Sequence, residues 1–485
     1  KDTVELVKRN KQVNIDIHDV ERFKRDKKVA EKLKTVDTIG CFYIESPAMR
    51  QLLLKLECRD YLTLVAASSI IRPGVAQSGM MRQYIHRYHH PHDFEYLHPV
   101  MKELLSETYG VMVYQEDVIK VAHHFAGLDL GEADVLRRAM SGKYRGQKEF
   151  EKIKTNFFSN CKSKGYSPEL TSEVWRQIES FGGFSFSKAH SASFAVESYQ
   201  SLFLKTYFPQ EFMVAVINNF GGFYSREVYF HELKKTGVKL LPPCVNEGQY
   251  LTSITNNIVH VGFIHVEGLE EKIIKAILEE KGRHGSYFHL QDLMERTRVP
   301  LEQLNILIRI GALRFTGKNK KELLWEANFL QKKSTRHLVS SIPMFDEAPV
   351  VFKLPQLKQH PLDDAMDEME LLGFPLGNVW DLADVDLAAF KTVAELKASK
   401  EVTMDIIGYF ITEKAVKTAN SNTMYFGTFL DKKGDWLDTV HFPGSFQYTP
   451  FQGRGFYKMR GKVIEEFGVL SLQVEQCIKI GIKAR

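Results

Sequence analysis

Two stretches of the chain carry side chains suited to holding an anion. FSFSKAHSASFA (184–195) gathers four serines, Lys188 and His190 into twelve positions, and LRRAM, upstream of it, sets Arg137 beside Arg138. Beyond the first stretch, SASFAVESYQSLFLKTYF keeps apolar residues at helical spacing as far as Pro209. This predicts a helix with Ser187 at its N-cap and Lys188, His190 and Ser191 in its first turn. A helix start offers unpaired N–H groups and a positive dipole end, so a lysine, a histidine and hydroxyls there suit a phosphate or a sugar. The plainer alternative is a capped helix whose serines are small because another helix packs on them. A Ser–His hydrolase fits poorly. GxSxG is absent, and adjacent helical residues such as His190 and Ser191 point about 100° apart. In GEADVLRRAMSGKYRG (131–146), Asp134 can support Arg138 at i,i+4, and two guanidinium forks suit triphosphate oxygens. SGKYRG lacks the GxxxxGK[ST] spacing of a phosphate loop. An exposed basic helix is the competing reading.

The elements that must position these groups belong to a chain of 485 residues, long enough for three or four domains. Its net charge is +5, yet residues 136–165 hold nine Lys or Arg against two Glu, so the remainder sums to −2. Such local separation points to a polyanion-facing surface, with a solvated helix face as the bland reading. Residues 360–390 hold eight acidic side chains and no Lys or Arg. The opening KDTVELVKRN, without Met or signal pattern, reads as a piece of a longer chain. Five dispersed cysteines with no CxxC argue against a zinc ribbon or a disulfide scaffold, and for a cytoplasmic location. No apolar run reaches the ~20 residues needed to cross a bilayer. HRYHHPHDFEYLHP (86–99) concentrates five histidines and is expected to be a solvated loop, with no metal site.

From residue 20 to about 235 the pattern is helical, as in DVERFKRDKKVAEKLKTV and PELTSEVWRQIESFGG. A second unit follows KLLPPCVN, with a short strand pair in LTSITNNIVHVGF and then helices. Residues 315–360 read as a linker and the acidic block beyond them as a short helix and a turn. Five β-rich runs then close the chain, VTMDIIGYFI, TMYFGTFLD, WLDTVHFP, GFYKMRGKVIEEF and VLSLQVEQCIKI. They fit a small closed barrel of the oligonucleotide-binding type. The expected fold class is therefore multidomain, mainly α, followed by a small five-stranded β-barrel (OB-fold).

CFYIESPAM (41–49), RPGVAQSGM (72–80), YGVMVYQEDVIKVA (109–122), LDLGEADVLRRAMSGK (128–143) and FGGFSFSKAHSASFAVESYQSLFLKTYFPQEFM (181–213) occur in this order. Together they resemble the fingers of the bacterial C-family replicative DNA polymerases, the DNA polymerase III alpha subunits. KLLPPCVN, GALRF and LLGFPLGN continue the resemblance over essentially the whole chain. It implies a fingers domain (1–235), a helix-hairpin-helix unit (236–315), a linker (316–394) and an OB-fold domain (395–485). It also implies a DNA-directed DNA polymerase in the full-length protein, adding deoxynucleotides with Mg²⁺. Arg137, Arg138, Lys143, Lys188, His190 and Ser191 are the implied dNTP-binding set. Phe184 and Ser187 stand where the family usually has Tyr and Asn, Tyr43 replaces a Gln, and Ser141 is inserted before Gly-Lys. The paired palm aspartates of the family are absent, the DVD at 384–386 reading as solvated linker. No catalytic residue is therefore assigned, and this stretch alone is expected to polymerise nothing. A non-catalytic DNA-binding module and an error-prone paralogue are the rival readings.

Primer-template DNA and single-stranded template are the implied partners, with other replisome subunits and no membrane. EGLEEKIIKAI (267–277) resembles the helix-hairpin-helix turn whose amides meet a DNA phosphate, through Gly268, Leu269 and Lys272. Glu270 stands there in place of the second glycine. SIPMFDE (341–347) lies where the family carries a sliding-clamp peptide, with Met344 and Phe345 as anchors. In the barrel, Tyr425 and Phe429 interleave with Lys432, Lys433, Lys458 and Arg460, a set suited to single-stranded nucleic acid. Aromatic filling of the barrel interior is the alternative.

Overall fold

The computed structural model describes residues 1–71, 78–140, 147–180, 187–337, 357–396, 402–418, 421–446 and 450–483. In chain order its main helices begin with α1 (Asp2–Lys11), α2 (Val20–Arg25), α3 (Lys27–Lys34), α4 (Pro47–Lys55), α5 (Tyr61–Ile70), α6 (Met80–His89) and α7 (Pro99–Leu105). α8 (Gln115–Lys120), α9 (Leu130–Met140), α10 (Gln147–Ser163), α11 (Pro168–Glu179), α12 (Lys188–Tyr207), α13 (Pro209–Asn218) and α14 (Arg226–Lys235) follow. After strands β1 (Lys239–Leu241), β2 (Ser253–Thr255) and β3 (Ile258–His260) come α15 (Glu271–His284), α16 (Leu290–Thr297), α17 (Leu301–Arg309), α18 (Lys320–His337) and α19 (Asp363–Leu371). The chain closes with β4 (Thr403–Lys417), β5 (Thr423–Leu430), β6 (Trp436–His441), β7 (Phe456–Glu466) and β8 (Val469–Ile480).

These elements form two compact units. A helical unit takes residues 15–207 with 465–469, and a composite unit takes 1–14, 208–464 and 470–485. The first helix and residues 208–235, expected with the fingers, thus group with the composite unit. There Lys11 pairs with the buried Glu211 at 3.6 Å.

The axis of the helical unit is α12, which packs along α5, α3 and α2. Small residues let it approach closely: Ser191 meets Ser69 of α5 at 2.7 Å, and the Ser198 hydroxyl donates to the Phe42 carbonyl. Further along, Phe203 stacks on Phe23 with ring centroids 4.1 Å apart. The expected helix over 19–36 breaks in two. Asp26 ends α2 in an extended conformation and accepts the Lys28 and Val29 amides that open α3. The Lys205 ammonium is buried among apolar residues, where it pairs with Asp37 at 2.8 Å and donates to the Ile39 carbonyl.

In the composite unit the short strand pair gains a third member. β1 lies parallel to β3, and β2 antiparallel to it. The stretch expected as a linker is largely structured where described. α18 and α19 both pack on α17. The acidic block forms the expected short helix, and the Lys-rich stretch before it is its partner: Lys320 reaches Asp364 (2.6 Å) and Asp367 (3.3 Å), and Arg309 holds Asp367 and Glu370. The five closing strands form a closed barrel in the order β4-β5-β6-β8-β7, with β6 and β8 parallel. Inside it lie Ile406, Phe429, Leu437, Met459, Leu472 and Val474. β4 is buried on its other face too. Ile407 and Tyr409 pack with Phe456 of β7 against Trp380, Leu382 and Phe390, and the 379–391 segment bridges to the barrel through Ala383 and Lys391.

Candidate nucleotide-binding site

The start of α8 ties together two parts of the expected nucleotide site, Arg137 and the first residue of α12, Lys188. Asp117, at its third residue, is buried and accepts the Val113 and Tyr114 amides at 2.9 Å each, satisfying donors that a helix start leaves open. Burial pushes its carboxyl above the ordinary aspartate range despite those bonds. With the turn held, the side chains of Gln115 and Glu116 project to two different helices.

Gln115 receives α9, whose first turn is closed by Asp129 and Glu132 accepting one another's amides. Two turns on, Arg137 Nε lies 2.9 Å from Asp134 Oδ1, and its Nη1 donates to Gln115 Oε1 at 3.3 Å. Arg138 Nε takes the other Asp134 oxygen at 3.0 Å, the i,i+4 support expected from sequence. One carboxylate thus orients both guanidinium groups.

Glu116 receives α12. Its Oε2 accepts the backbone N–H of Lys188 at 2.9 Å, so a carboxylate already sits on the anion-binding end of that helix. The Lys188 ammonium spans both oxygens of Glu107 (2.6 and 2.7 Å) and lies 5.4 Å from the Tyr114 ring centroid. Ser187 caps α12 as expected, accepting the His190 amide at 3.2 Å. The His190 ring is exposed and lies 4.2 Å from that of Phe194. Arg137 and Lys188, 51 positions apart in sequence, are therefore tied to consecutive residues of one helix start.

Two members of the expected set stand differently. Ser191 is fully buried and its hydroxyl is bonded to Ser69, so it builds the α12–α5 contact and faces no ligand. Lys143 lies outside the described residues. Sequence reasoning missed Glu107, Tyr114, Gln115 and Glu116. For the last three the signal was present in YQED, a polar pair just after a helix cap, but nothing local ties that pair to residue 137 or 188; Glu107 carries no such signal. Among the described residues no three His, Cys, Asp or Glu side chains cluster closely enough to hold a metal ion. No helix among them is long and apolar enough to cross a membrane.

Residues 1–165 match the pattern of the bacterial DNA polymerase III alpha subunit finger domain, and residues 237–323 match a helix-hairpin-helix motif. The DNA polymerase III subunit alpha of Staphylococcus aureus (strain MRSA252) is 30% identical over 457 residues, 91% of this chain and 41% of that protein. Its counterpart in Aquifex aeolicus (strain VF5) is 30% identical over 443 residues, 89% of this chain and 37% of that one. The chain is thus similar to a portion of the bacterial DNA polymerase III alpha subunits. It spans about two fifths of the length of the curated relatives it matches.

Within the residues that match the helix-hairpin-helix motif, the 268–272 turn opens on a glycine. Gly268 has φ 75°, a left-handed conformation that suits glycine. Gln303 accepts the Glu270 amide at 2.8 Å and donates to the Gly268 carbonyl at 3.0 Å, so a side chain occupies an amide that a phosphate could use. Leu269 is half-buried, and the exposed Lys272 pairs with Glu270 at 2.7 Å.

In the barrel the expected single-strand surface divides. Phe429 is completely buried in the interior, where the pleat of β5 sends it, and is corrected to a core residue. The Lys432 ammonium is pinned to the Leu387 and Phe390 carbonyls at 2.7 and 2.6 Å. Lys458 is half-buried, 5.8 Å from the Phe390 ring centroid. Tyr425 is half-buried opposite Ala415 of β4, while Arg460 is opposite Asp405 of the same strand. Ten positions at about 3.3 Å each put them roughly 33 Å apart along β4. The exposed aromatic beside Tyr425 is Phe426, with Lys414 directly across the strand pair. Lys433 is exposed in the β5–β6 turn. Met344 and Phe345 lie outside the described residues.

Proposed function

We propose that this chain holds the incoming deoxynucleoside triphosphate and primer-template DNA for a DNA-directed DNA polymerase, whose metal-binding carboxylates come from outside the 485 residues. The observation that carries this reading is the tethering of Arg137 and Lys188 to neighbouring residues, Gln115 and Glu116, at the start of α8. On this reading two cations from distant helices, a helix start and a histidine would border one bound anion. Each cation already faces a carboxylate: Asp134 for both arginines, Glu107 for Lys188. A triphosphate would exchange one set of anions for another, an exchange that costs less than ordering free side chains around it. Bidentate guanidinium contacts would fix the orientation of the phosphate tail, and His190 would lie toward the sugar.

DNA binding is assigned to three places. The 268–272 turn would meet backbone phosphates. Phe426 with Lys414 would take unstacked template bases on one face of the β4–β5 pair, Tyr425 would stack a base on the other, and Arg460 would contribute phosphate contact from a separate part of the barrel. Docking of Met344 and Phe345 on a sliding clamp, association with other replisome subunits and work in the cytoplasm belong to the same proposal. The test is Arg137→Ala in the full-length polymerase. The nucleotide requirement should rise about 10- to 100-fold while primer-template affinity stays within about twofold, as expected for loss of a charged hydrogen-bonding group at the nucleotide alone. Equal losses in both would overturn the assignment.

A further inference from the structure

In the helical unit, the turn 41–45 between α3 and α4 points a phenylalanine outward. Cys41 and Ile44 are fully buried, yet Phe42 between them is 41% exposed. Its backbone is pinned to α12 on both sides. The Phe42 N–H donates to the Ser201 hydroxyl at 3.2 Å, and its carbonyl accepts the Ser198 hydroxyl at 3.0 Å. Tyr43, the next residue, has φ 65°, a left-handed conformation that is strained for a residue other than glycine. The Tyr43 hydroxyl donates to the Ser68 carbonyl of α5 at 3.2 Å. Two helices therefore hold a strained turn in the form that keeps Phe42 at the surface.

The Phe42 ring is one end of a chain of aromatic contacts that leads to the start of α12. It meets the Phe194 ring edge-on with centroids 5.2 Å apart, and Tyr43 meets the same ring at 4.8 Å. Phe194 in turn lies 4.2 Å from the exposed His190 ring, one helical turn before it on the same face. The rings thus run without a break from the first turn of α12, which Lys188 opens, to the exposed Phe42. Phe194 follows Lys188 by six positions, about 9 Å along the helix axis. That is the order in which a nucleotide presents its phosphates, its sugar and its base. A packing role alone accounts for Phe194 and Tyr43, but it does not require a strained turn that leaves a pinned aromatic ring in water.

We propose that Phe42, backed by Phe194 and Tyr43, is the stacking surface for the base of the incoming nucleotide. The inference rests on the reading of Arg137, Lys188 and His190 as the nucleotide site and extends it to the base. Every base has a π-face, so this contact holds any nucleotide without choosing among the four, and the choice is left to pairing with the template strand.

The test is calorimetric titration of the intact chain with dATP, dCTP and inorganic tripolyphosphate, the last of which has phosphates and no base. Phe42→Ala should weaken dATP binding at least about fivefold, dCTP binding less because a pyrimidine offers a smaller face, and tripolyphosphate binding not at all. Phe42→Leu keeps apolar bulk but removes the π-face, and should weaken dATP binding as Phe42→Ala does. Phe42→Trp keeps a π-face and should hold dATP affinity within about twofold of the original. Arg137→Ala probes the underlying reading and should weaken all three ligands. If dATP does not bind, or if Arg137→Ala leaves all three unchanged, the nucleotide-site reading falls and this inference with it. With the Arg137 effect present, dATP binding indifferent to Phe42→Ala, or dATP and tripolyphosphate weakened equally by it, would overturn the stacking role alone. Should Phe42→Ala fail to fold, the comparison of Phe42→Leu with Phe42→Trp decides it.

Discussion

At the start of α8, Arg137 and Lys188 are each held by groups from more than one element, whereas on β7 Arg460 has one carboxylate 3.8 Å away and a side chain more than half exposed. The difference is one of preparation. Cations fixed by several partners present a defined arrangement that a head group of matching shape can take over. Loosely held cations on a strand suit contact with any phosphate along a polymer, weak singly and sensitive to salt. The barrel supplies further contrast, because the aromatic and lysine side chains that read best as ligand platforms, Phe429 and Lys432, are ones it uses to hold itself together.

The sharpest way to break this comparison is through Phe429. Phe429→Ala should destabilise the barrel by about 3–5 kcal/mol, read as a lowered urea midpoint of its unfolding transition. Tyr425→Ala should cost less than about 1 kcal/mol on the same measurement. Similar costs for the two would return Phe429 to the surface. Next in size, Arg137→Ala should weaken dNTP binding by about 10- to 100-fold, measured by titration, whereas Arg460→Ala should leave it unchanged. The latter should instead reduce the salt dependence of single-strand binding by about one phosphate contact.

A third test acts on the support beneath α12. Lys205 and Lys32 hold the Asp37 carboxyl far below the ordinary aspartate range, outweighing the opposing effect of burial. Its folded pKa is depressed, so its contribution to stability is present above about pH 4, the unfolded value, and is lost as pH falls toward the folded one. Asp37→Asn should therefore lower the melting temperature at pH 7 and make the helical unit less sensitive to acid between about pH 4 and 2, followed by circular dichroism. The smallest expected effect belongs to Glu116→Gln. An amide oxygen can keep the Lys188 bond while removing a negative charge from the α12 start, so dNTP affinity should rise about two- to fivefold. No rise would mean that the phosphates bind away from that helix end.

The start of α12 was legible because a cap is a local signal: Ser187 followed by helical spacing fixes where Lys188 and His190 sit. Its meeting with α8 was not, since 72 positions separate Glu116 from Lys188 and only packing brings them together. The serines around His190 had two meanings at once. Ser187 caps, and Ser191 serves the close approach of α5 that a plain packing reading requires. The five barrel strands could be read from alternation, but alternation assumes one wet face, and β4 has apolar neighbours on both. The supposed linker was misread because Lys320 and Asp367 look solvated until they are seen to pair across 47 positions.

The coverage of the barrel by residues 379–391 bears on any attempt to excise it. A fragment beginning at 395 would leave behind Trp380, Leu382 and Phe390, laying bare Ile407, Tyr409 and Phe456 as one greasy strip. Such a piece would be prone to self-association, and its apparent grip on single strands could be mere stickiness. Starting near residue 379 keeps the strip shielded and makes the isolated domain a fair subject for binding work.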